Sequence, residues 1–139
     1  MEHKMRVIFD SNIWVSFAIG KRINEMKVPF MNPNVDIFVC RKLMWEVGAI
    51  IEKPKLAKYI SQDRKEMLLD LMKACHWADI EGQTAISRDP KDDFLLDLAT
   101  VINADFLITG DKDLLVLKKY LQTHIVSFSS FMAILEIKN

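Results

Sequence analysis

The stretch MRVIFDSN, residues 5–12, decides the fold class, because a short apolar run ends there in a carboxylate and two small polar residues. The run at residues 5–9 lacks strict alternation, which is typical of a strand that is buried on both faces. Ser11 or Asn12 can cap a helix over residues 13–19. A buried strand followed at once by a helix predicts the first unit of a parallel α/β sheet.

The rest of the chain repeats this alternation. Further strands are predicted at residues 35–40, 75–80, 105–109 and 124–128. Helices are predicted at residues 21–30, 41–52, 55–60, 62–74, 92–103 and 110–120, followed by a C-terminal helix capped by Ser129 or Ser130. The pattern predicts one domain over residues 1–139, a three-layer α/β/α sandwich with a mainly parallel sheet.

Composition limits the class of protein. Of 139 residues, 50% are hydrophobic, and 19 basic side chains balance 19 acidic ones, which excludes a disordered chain. The four glycines are too far apart to form a phosphate-binding glycine loop. Cys40 and Cys75 are too few for a disulfide framework and are expected to be buried thiols. Because neither a signal peptide nor a membrane span is predicted, we expect a cytoplasmic protein.

The zero net charge hides an uneven distribution along the chain. Residues 1–65 carry 12 basic and 7 acidic side chains, whereas residues 66–139 carry 7 and 12. Ordinary solvated surface explains such a split, and so does a basic face beside an acidic pocket that receives a polyanion. The basic side chains of the first half that could contact a nucleic-acid backbone are Lys21, Arg22, Lys27, Arg41, Lys42, Lys53 and Lys55.

Two acids directly follow predicted strands. Asp10 follows the first strand, and Asp111 follows the strand at residues 105–109. In open α/β sheets, ligands bind beyond the carboxyl ends of the strands, near the point where the strand order switches. An acid between a strand and a helix is equally often a simple helix cap, so both roles stay open for each residue.

Glu46 is harder to explain by structure alone. It lies three residues after Leu43 and four before Ile50, so it shares the apolar face of its helix. A carboxylate on such a face needs a partner, because burying an unpaired charge costs several kcal/mol. The alternatives are a salt bridge, for example to Lys42, and a bound cation.

A further group of acids opens the predicted helix at residues 92–103. Asp93 lies in its first turn beside Asp92, and Asp97 lies one turn further on. Acids favour helix N-termini because of the helix dipole, so a purely local role is open for each of them. Asp93 is preferred over Asp92 as a functional residue because it directly precedes the apolar stripe. Asp97, four residues after Asp93, is either a group that supports the ligands or simply an exposed residue, and exposure is the preferred prediction.

Four carboxylates on four separate elements are therefore expected at one end of the sheet. Like charges at such distances repel one another unless a cation neutralises them. Carboxylate oxygens suit a hard divalent ion, Mg²⁺ or Mn²⁺. The three histidines are too scattered to form a zinc site, and each is expected to be structural or exposed.

Four segments of the chain resemble the PIN-domain nucleases, and they occur in the same order as in that family. They are VIFDSN at residues 7–12, the helix that carries Glu46, RDPKDDFLLDLA at residues 88–99, and ADFLITGDKDLL at residues 104–115. The likeness spans nearly the whole chain and is nearest to the VapC-like toxins of toxin–antitoxin pairs. It implies a parallel sheet in which the first and fourth strands are neighbours.

The resemblance also implies which residues are functional. The acids at the positions of the family's catalytic, metal-binding carboxylates are Asp10, Glu46, Asp93 and Asp111. The polar residues at the positions that support this cluster are Thr109, Ser11 and Asn12. Cys40 stands where many relatives have a Ser or Thr that caps the helix of Glu46, so the start of this helix is expected to be less well fixed.

As a function, the resemblance implies an endoribonuclease that depends on Mg²⁺ or Mn²⁺ and acts as a toxin. Such a toxin cuts RNA, is neutralised by an antitoxin protein and forms a homodimer. Trp14, Phe17 and Met26 either contribute to a dimer surface or belong to the core.

The alternative function is a PIN-like protein-binding module with little or no nuclease activity. A haloacid-dehalogenase-type phosphatase is disfavoured, because it needs an acid where Asn12 stands; a response-regulator receiver lacks its paired acid and late lysine.

Overall fold

The computed structural model describes residues 4–19, 23–80 and 94–138. Its strands are β1 (Met5–Phe9), β2 (Val35–Val39), β3 (His76–Trp77), β4 (Phe106–Ile108), β5 (Lys119–Tyr120) and β6 (Thr123–Val126). Its helices are α1 (Ser11–Ala18), α2 (Ile23–Met31), α3 (Arg41–Ile51), α4 (Pro54–Ala57), α5 (Gln62–Lys73), α6 (Phe94–Ile102), α7 (Lys112–Leu115) and α8 (Phe128–Lys138). Within the described residues, no helix is both long and apolar enough to cross a bilayer.

The six strands form one sheet in the order β3-β2-β1-β4-β6-β5. All neighbouring strands are parallel except β5 and β6. The predicted α/β/α class with a mainly parallel sheet is confirmed. The adjacency of the first and fourth strands is confirmed as well, since Phe9 at the end of β1 pairs with Ile108 at the end of β4.

The helices cover the sheet and bury a core in which aromatic rings are prominent. Helices α1, α3 and α5 contact one another, while α6 packs on β1 and β4. The Phe9 ring lies at the centre of the aromatic cluster, with the rings of Trp14 and Phe17 in edge-to-face contact at 5.5 and 5.7 Å. Trp14, Phe17 and Met26 are all buried, so they belong to the core and contribute nothing to a dimer surface.

The predicted helix at residues 110–120 is wrong. Helix α7 ends at Leu115, and a short antiparallel strand, β5, follows it. Lys118 adopts a left-handed φ of 62°, which is incompatible with a continuing right-handed helix. Leu121 has a φ of 53° in the two-residue turn that connects β5 to β6. Pairing of β5 with the sheet edge thus outweighs local helix propensity.

Smaller differences concern element ends. The third strand covers only His76–Trp77 of the predicted residues 75–80. The C-terminal helix is capped by Ser127, whose hydroxyl accepts a hydrogen bond from the Ser130 N–H at 3.1 Å, and not by Ser129 or Ser130. Helix α3 begins after Cys40, whose side chain makes no capping hydrogen bond, as its chemistry predicts.

Candidate active site

The site lies where β1 and β4 end side by side. The Asp10 N–H donates to the Ile108 carbonyl at 2.9 Å, so the first residue beyond β1 is still fixed to the end of β4. On the other side, the Thr109 N–H donates to the Val126 carbonyl at 3.0 Å. Two neighbouring parallel strands therefore deliver Asp10 and Thr109 to the same point at the carboxyl edge of the sheet.

Asp10 is the centre of this arrangement. Its side chain is only 6% exposed, and its Oδ2 accepts a hydrogen bond from the fully buried Thr109 hydroxyl at 2.5 Å. That distance is in the range of strong hydrogen bonds to an ionised carboxylate. Oδ1 accepts from the Ser11 hydroxyl at 3.1 Å and from the Asn12 N–H at 3.3 Å. Asp10 itself is therefore the N-cap of α1, which was predicted to be Ser11 or Asn12.

Glu46 joins the site from α3. Its Oε1 lies 3.3 Å from the Ser11 hydroxyl oxygen, within hydrogen-bond distance, because α1 and α3 pack against each other. Ser11 thus lies between Glu46 and Asp10. A hydroxyl has one proton to donate, so it satisfies at most one of the two carboxylates fully at any moment. Within the part of the chain that the structure describes, half-buried Glu46 contacts this hydroxyl and forms no ion pair with Lys42, the alternative that the sequence offered.

Asp111 is linked to the same network through Thr109. The Asp111 N–H donates to the Thr109 hydroxyl oxygen at 3.0 Å, while that hydroxyl donates its own proton to Asp10. The exposed Asp111 carboxylate caps α7 by accepting from the Asp113 N–H at 2.9 Å. The Thr109 hydroxyl therefore links Asp10 to the Asp111 backbone, while the Ser11 hydroxyl lies within hydrogen-bond distance of both Asp10 and Glu46.

Asp92 and Asp93 lie outside the described residues. Asn12 contributes its backbone N–H, and its side chain is exposed. The expectation that Asp97 is exposed is wrong: it is 7% exposed, because α6 turns this side chain into the protein.

A metal ion of the predicted kind matches the chemistry of the donors. Asp10, Glu46 and Asp111 present carboxylate oxygens, the ligands that Mg²⁺ and Mn²⁺ prefer. Within residues 4–19, 23–80 and 94–138, no lysine or arginine forms an ion pair with these three carboxylates, and one hydroxyl proton serves two of them. In the same part of the chain, no three acidic, histidine or cysteine side chains are close enough to form a complete metal site.

A cavity of about 690 Å³ lies between the start of α3, the helix that carries Glu46, and α6. Its lining includes Trp45, Trp77 and Asp97, together with Arg41 and Lys42 from the first turn of α3. Sequence reasoning missed the two tryptophans. A usable signal existed for Trp45, because it falls outside the apolar stripe of its helix and so is expected to face solvent.

Comparison with known families agrees with this geometry. A family model described as "PIN domain" matches residues 6–113, a range that begins within β1, ends within α7 and contains every acid of the predicted site. No curated protein matches the sequence significantly. PIN domains are generally nucleases, which supports a hydrolase. Strands β1 and β4 are neighbours, acidic residues follow their carboxyl ends, and the family model matches most of the chain. The chain therefore belongs to the PIN-domain family.

Proposed function

We propose that the protein is an endoribonuclease that hydrolyses RNA phosphodiester bonds and depends on Mg²⁺ or Mn²⁺. The observation that supports this most is that two hydroxyl groups at the carboxyl edge of the sheet bring the acids together: Ser11 lies between Glu46 and Asp10, and Thr109 connects Asp10 with the Asp111 backbone. Asp10 and Glu46 lie at one hydroxyl, Asp111 is joined to the same network by its backbone N–H, and none of the three has a basic partner among the described residues, which suits an ion that binds a polyanionic substrate.

The residues that would hold the ion are Asp10, Glu46 and Asp111, with Asp93 as the fourth carboxylate that the family resemblance implies. When bound, the ion supplies Lewis-acid activation of water and neutralises charge on the phosphate. Asp10 suits this role because it is fixed before binding: Thr109 holds one of its oxygens at 2.5 Å, and the other accepts from the Asn12 N–H at 3.3 Å.

The chain's own contribution to the chemistry is positioning. Fixed carboxylates orient the reacting groups without having to reorganise during the reaction. No covalent nucleophile from the protein is required, since water attacks phosphorus in line with the departing 3′ oxygen. This geometry leaves a 5′-phosphate on one product and a 3′-hydroxyl on the other.

The test is cleavage of a mixed RNA pool by purified protein during a titration with Mn²⁺, followed by sequencing of the cut ends. We expect cleavage that requires the ion, stops with EDTA and leaves 5′-phosphates. Asp10→Asn is the matched control, because Asn is as good a helix cap as Asp but is a weaker metal ligand. If Asp10→Asn protein free of contaminating nuclease cuts as fast as the parent, the catalytic assignment is wrong.

A second readout separates metal binding from catalysis. An ion that binds only the folded protein stabilises it by about 2.7 kcal/mol at a concentration one hundred times its Kd. We therefore expect Mn²⁺ to raise the melting temperature of the parent and to leave that of Asp10→Asn nearly unchanged. Equal shifts in both proteins would contradict a metal site at Asp10.

The biological role that we propose is that of a cytoplasmic toxin, neutralised by an antitoxin protein and active as a homodimer. Expression of the parent should arrest growth, and co-expression of a small neighbouring reading frame should restore it. Sedimentation of the purified protein tests the dimer. Growth that is unaffected by the parent would contradict the toxin role without affecting the nuclease assignment.

The alternative is a protein-binding module on the same fold with little or no nuclease activity. It is favoured if the Mn²⁺ titration yields no cleavage while a partner protein still binds. The presence of Asp10, Glu46, Asp93 and Asp111 together argues against it, since a purely structural module has no need to keep all four acids.

A further inference from the structure

Two tryptophans stand out on the surface beside the carboxylates. Trp45 is 81% exposed and Trp77 is 45% exposed, although large aromatic side chains are normally among the most buried. Arg41 and Lys42, one turn before Trp45 on α3, are exposed as well. We call these four residues the tryptophan surface.

The fold places the tryptophan surface at the same edge of the sheet as the candidate active site. Trp77 ends β3 and pairs with Val39 at the end of β2, so it lies next to the start of α3. Trp45 directly precedes Glu46, whose carboxylate contacts Ser11. An extended ligand that reaches from the carboxylates along the carboxyl edge of the sheet would therefore meet the tryptophan surface within a few residues of Glu46.

Both indole rings are available to a ligand. The Trp77 Nε1–H donates to the Lys73 carbonyl at 3.2 Å, which holds the side chain and satisfies its only polar group. Within the described residues, neither indole stacks on another aromatic ring. Both line the cavity of about 690 Å³ and an adjoining one of about 480 Å³, which also contains Met44 and Leu69.

We propose that the tryptophan surface is a base-stacking subsite for single-stranded RNA, an inference that rests on the proposed function and names how the substrate is held. Every base has a flat face that stacks on an indole, so such a subsite tolerates many sequences. Arg41 and Lys42 are placed to contact the phosphates of the same strand, since they lie one turn from Trp45 on the helix surface.

Charge favours a nucleic-acid strand over an apolar protein segment at this place. Among the described residues, the lining of the 480 Å³ cavity combines Arg41 with apolar side chains, a combination that suits a base stacked on the indoles with a phosphate beside the guanidinium. The neighbouring cavity also contains two acids, Asp97 on α6 and Asp79, which lies just beyond β3 and close to Cys40 at the start of α3. We therefore expect the phosphates of the RNA to lie near Arg41 on the side of the 480 Å³ cavity, away from these two acids.

The experiment measures affinity without cleavage. A fluorescein-labelled single-stranded RNA of mixed sequence is titrated with Asp10→Asn protein in EDTA, and the titration is repeated with Trp45→Ala or Trp77→Ala added. Each replacement should weaken binding about 5- to 150-fold, as loss of one stacked base does. Phenylalanine at either position should restore most of the affinity, because it keeps a flat ring.

Tyr59→Ala is the matched control, because Tyr59 is also an exposed aromatic residue, at 55%, but lies on the segment after α4. It should leave the RNA affinity within about twofold of the parent. Circular dichroism of each variant checks that the fold is retained, which is expected for side chains that are mostly exposed.

The outcomes separate this inference from the nuclease assignment. If the parent cleaves RNA through Asp10 but both tryptophan replacements leave affinity and KM unchanged, the subsite is wrong and the nuclease stands. If RNA binding depends on the tryptophans but no ion restores cleavage, the subsite stands and the nuclease is wrong. Unchanged RNA affinity together with tryptophan-dependent binding of a co-expressed protein would assign the surface to that protein and overturn the subsite.

Discussion

Each end of the β1–β4 strand pair carries a hydrogen-bonded aspartate, but the two aspartates accept from different kinds of group. At the amino end, the Asp105 Oδ2 accepts from the Arg6 N–H at 2.8 Å, and the Asp105 N–H donates back to the Arg6 carbonyl. At the carboxyl end, Asp10 is held by hydroxyl groups and lies in one network with two further acids. An acid bonded to the backbone of the neighbouring strand connects two strands, whereas acids that share hydroxyls concentrate negative charge.

Two buried threonines repeat the contrast. The Thr123 hydroxyl donates to the Ala104 carbonyl at 2.7 Å near the amino end of β4, and so satisfies a backbone group. The Thr109 hydroxyl donates to the Asp10 carboxylate beyond the other end of the same strand. Burial and residue type are the same in both cases. What separates a structural residue from a candidate site residue is therefore the group that receives the proton.

The largest expected difference between the two ends concerns the acids. Asp10→Asn should lower the rate of RNA cleavage about a thousandfold or more, because it removes a charged metal ligand. Its free energy of unfolding without metal should stay the same or rise, since repulsion between the acids falls. Asp105→Asn should keep cleavage within about twofold and lose about 1 kcal/mol of stability.

The measurement is kcat/KM with Mn²⁺, together with urea unfolding in EDTA. Comparable losses of activity in the two variants would contradict the division between the ends. So would a loss of stability in Asp10→Asn that exceeds the loss in Asp105→Asn.

The threonines should give a smaller difference. Thr109→Val should reduce cleavage about 10- to 100-fold, as loss of a residue that orients a metal ligand typically does. Thr123→Val should leave cleavage within about twofold. Both should lower the free energy of unfolding by about 1–3 kcal/mol, because each leaves a buried acceptor without its donor.

Thr109→Ser provides the control, since it keeps the hydroxyl and should recover most of the activity lost in Thr109→Val. A Thr109→Val protein that is destabilised but fully active would show that the hydroxyl is only structural. Kinetics and urea unfolding on the same preparations distinguish the two cases.

The last comparison concerns the pH dependence of the free energy of unfolding. It depends on the two free thiols, which also lie at opposite ends of the sheet. Burial raises the pKa of Cys40, after β2, and raises the pKa of Cys75, before β3, from 9.0 to about 12. Above pH 9 the unfolded chain loses the Cys75 proton while the folded protein keeps it. Stability that is fully present below pH 9 should therefore fall as the pH rises toward 12, by less than about 1.4 kcal/mol per pH unit.

The comparison is urea unfolding of the parent and of Cys75→Ala between pH 8 and pH 10.5. Lysines and tyrosines titrate equally in both proteins, so the difference between the two curves isolates the thiol. Parallel curves over this range would mean that Cys75 is not protected from ionisation by its surroundings.

Much of the fold could be predicted from local patterns. Short apolar runs that end in Asp10 or Thr109 identify buried strands, and the helices between them follow from apolar periodicity. The errors lie where distant residues decide. Residues 119–120 form a strand because β6 offers an edge to pair with, and Asp97 is buried because of how α6 packs.

For the candidate site, as for the fold, the sequence indicated the elements that carry the residues but left out their mutual contacts. The positions of Asp10, Glu46 and Asp111 at one edge follow from strand ends and helix faces, together with the family resemblance. The bridging role of Ser11 could not be predicted, since it depends on α1 packing against α3. Trp45 and Trp77 come together because β3 pairs beside β2, a pairing that no local pattern reveals.

The sequence by itself determined the class of sheet, the acids that end its strands and the balance of charge, because these depend on residue order and short-range periodicity. Only the tertiary structure decided which hydroxyl serves which carboxylate, which apolar side chains are core and which tryptophans stay exposed. The physical reason is that burial and hydrogen-bond partners are set by the neighbouring elements, and those neighbours are distant in sequence. Asp10 and Thr109, 99 residues apart and joined by one hydrogen bond, represent that dependence most directly.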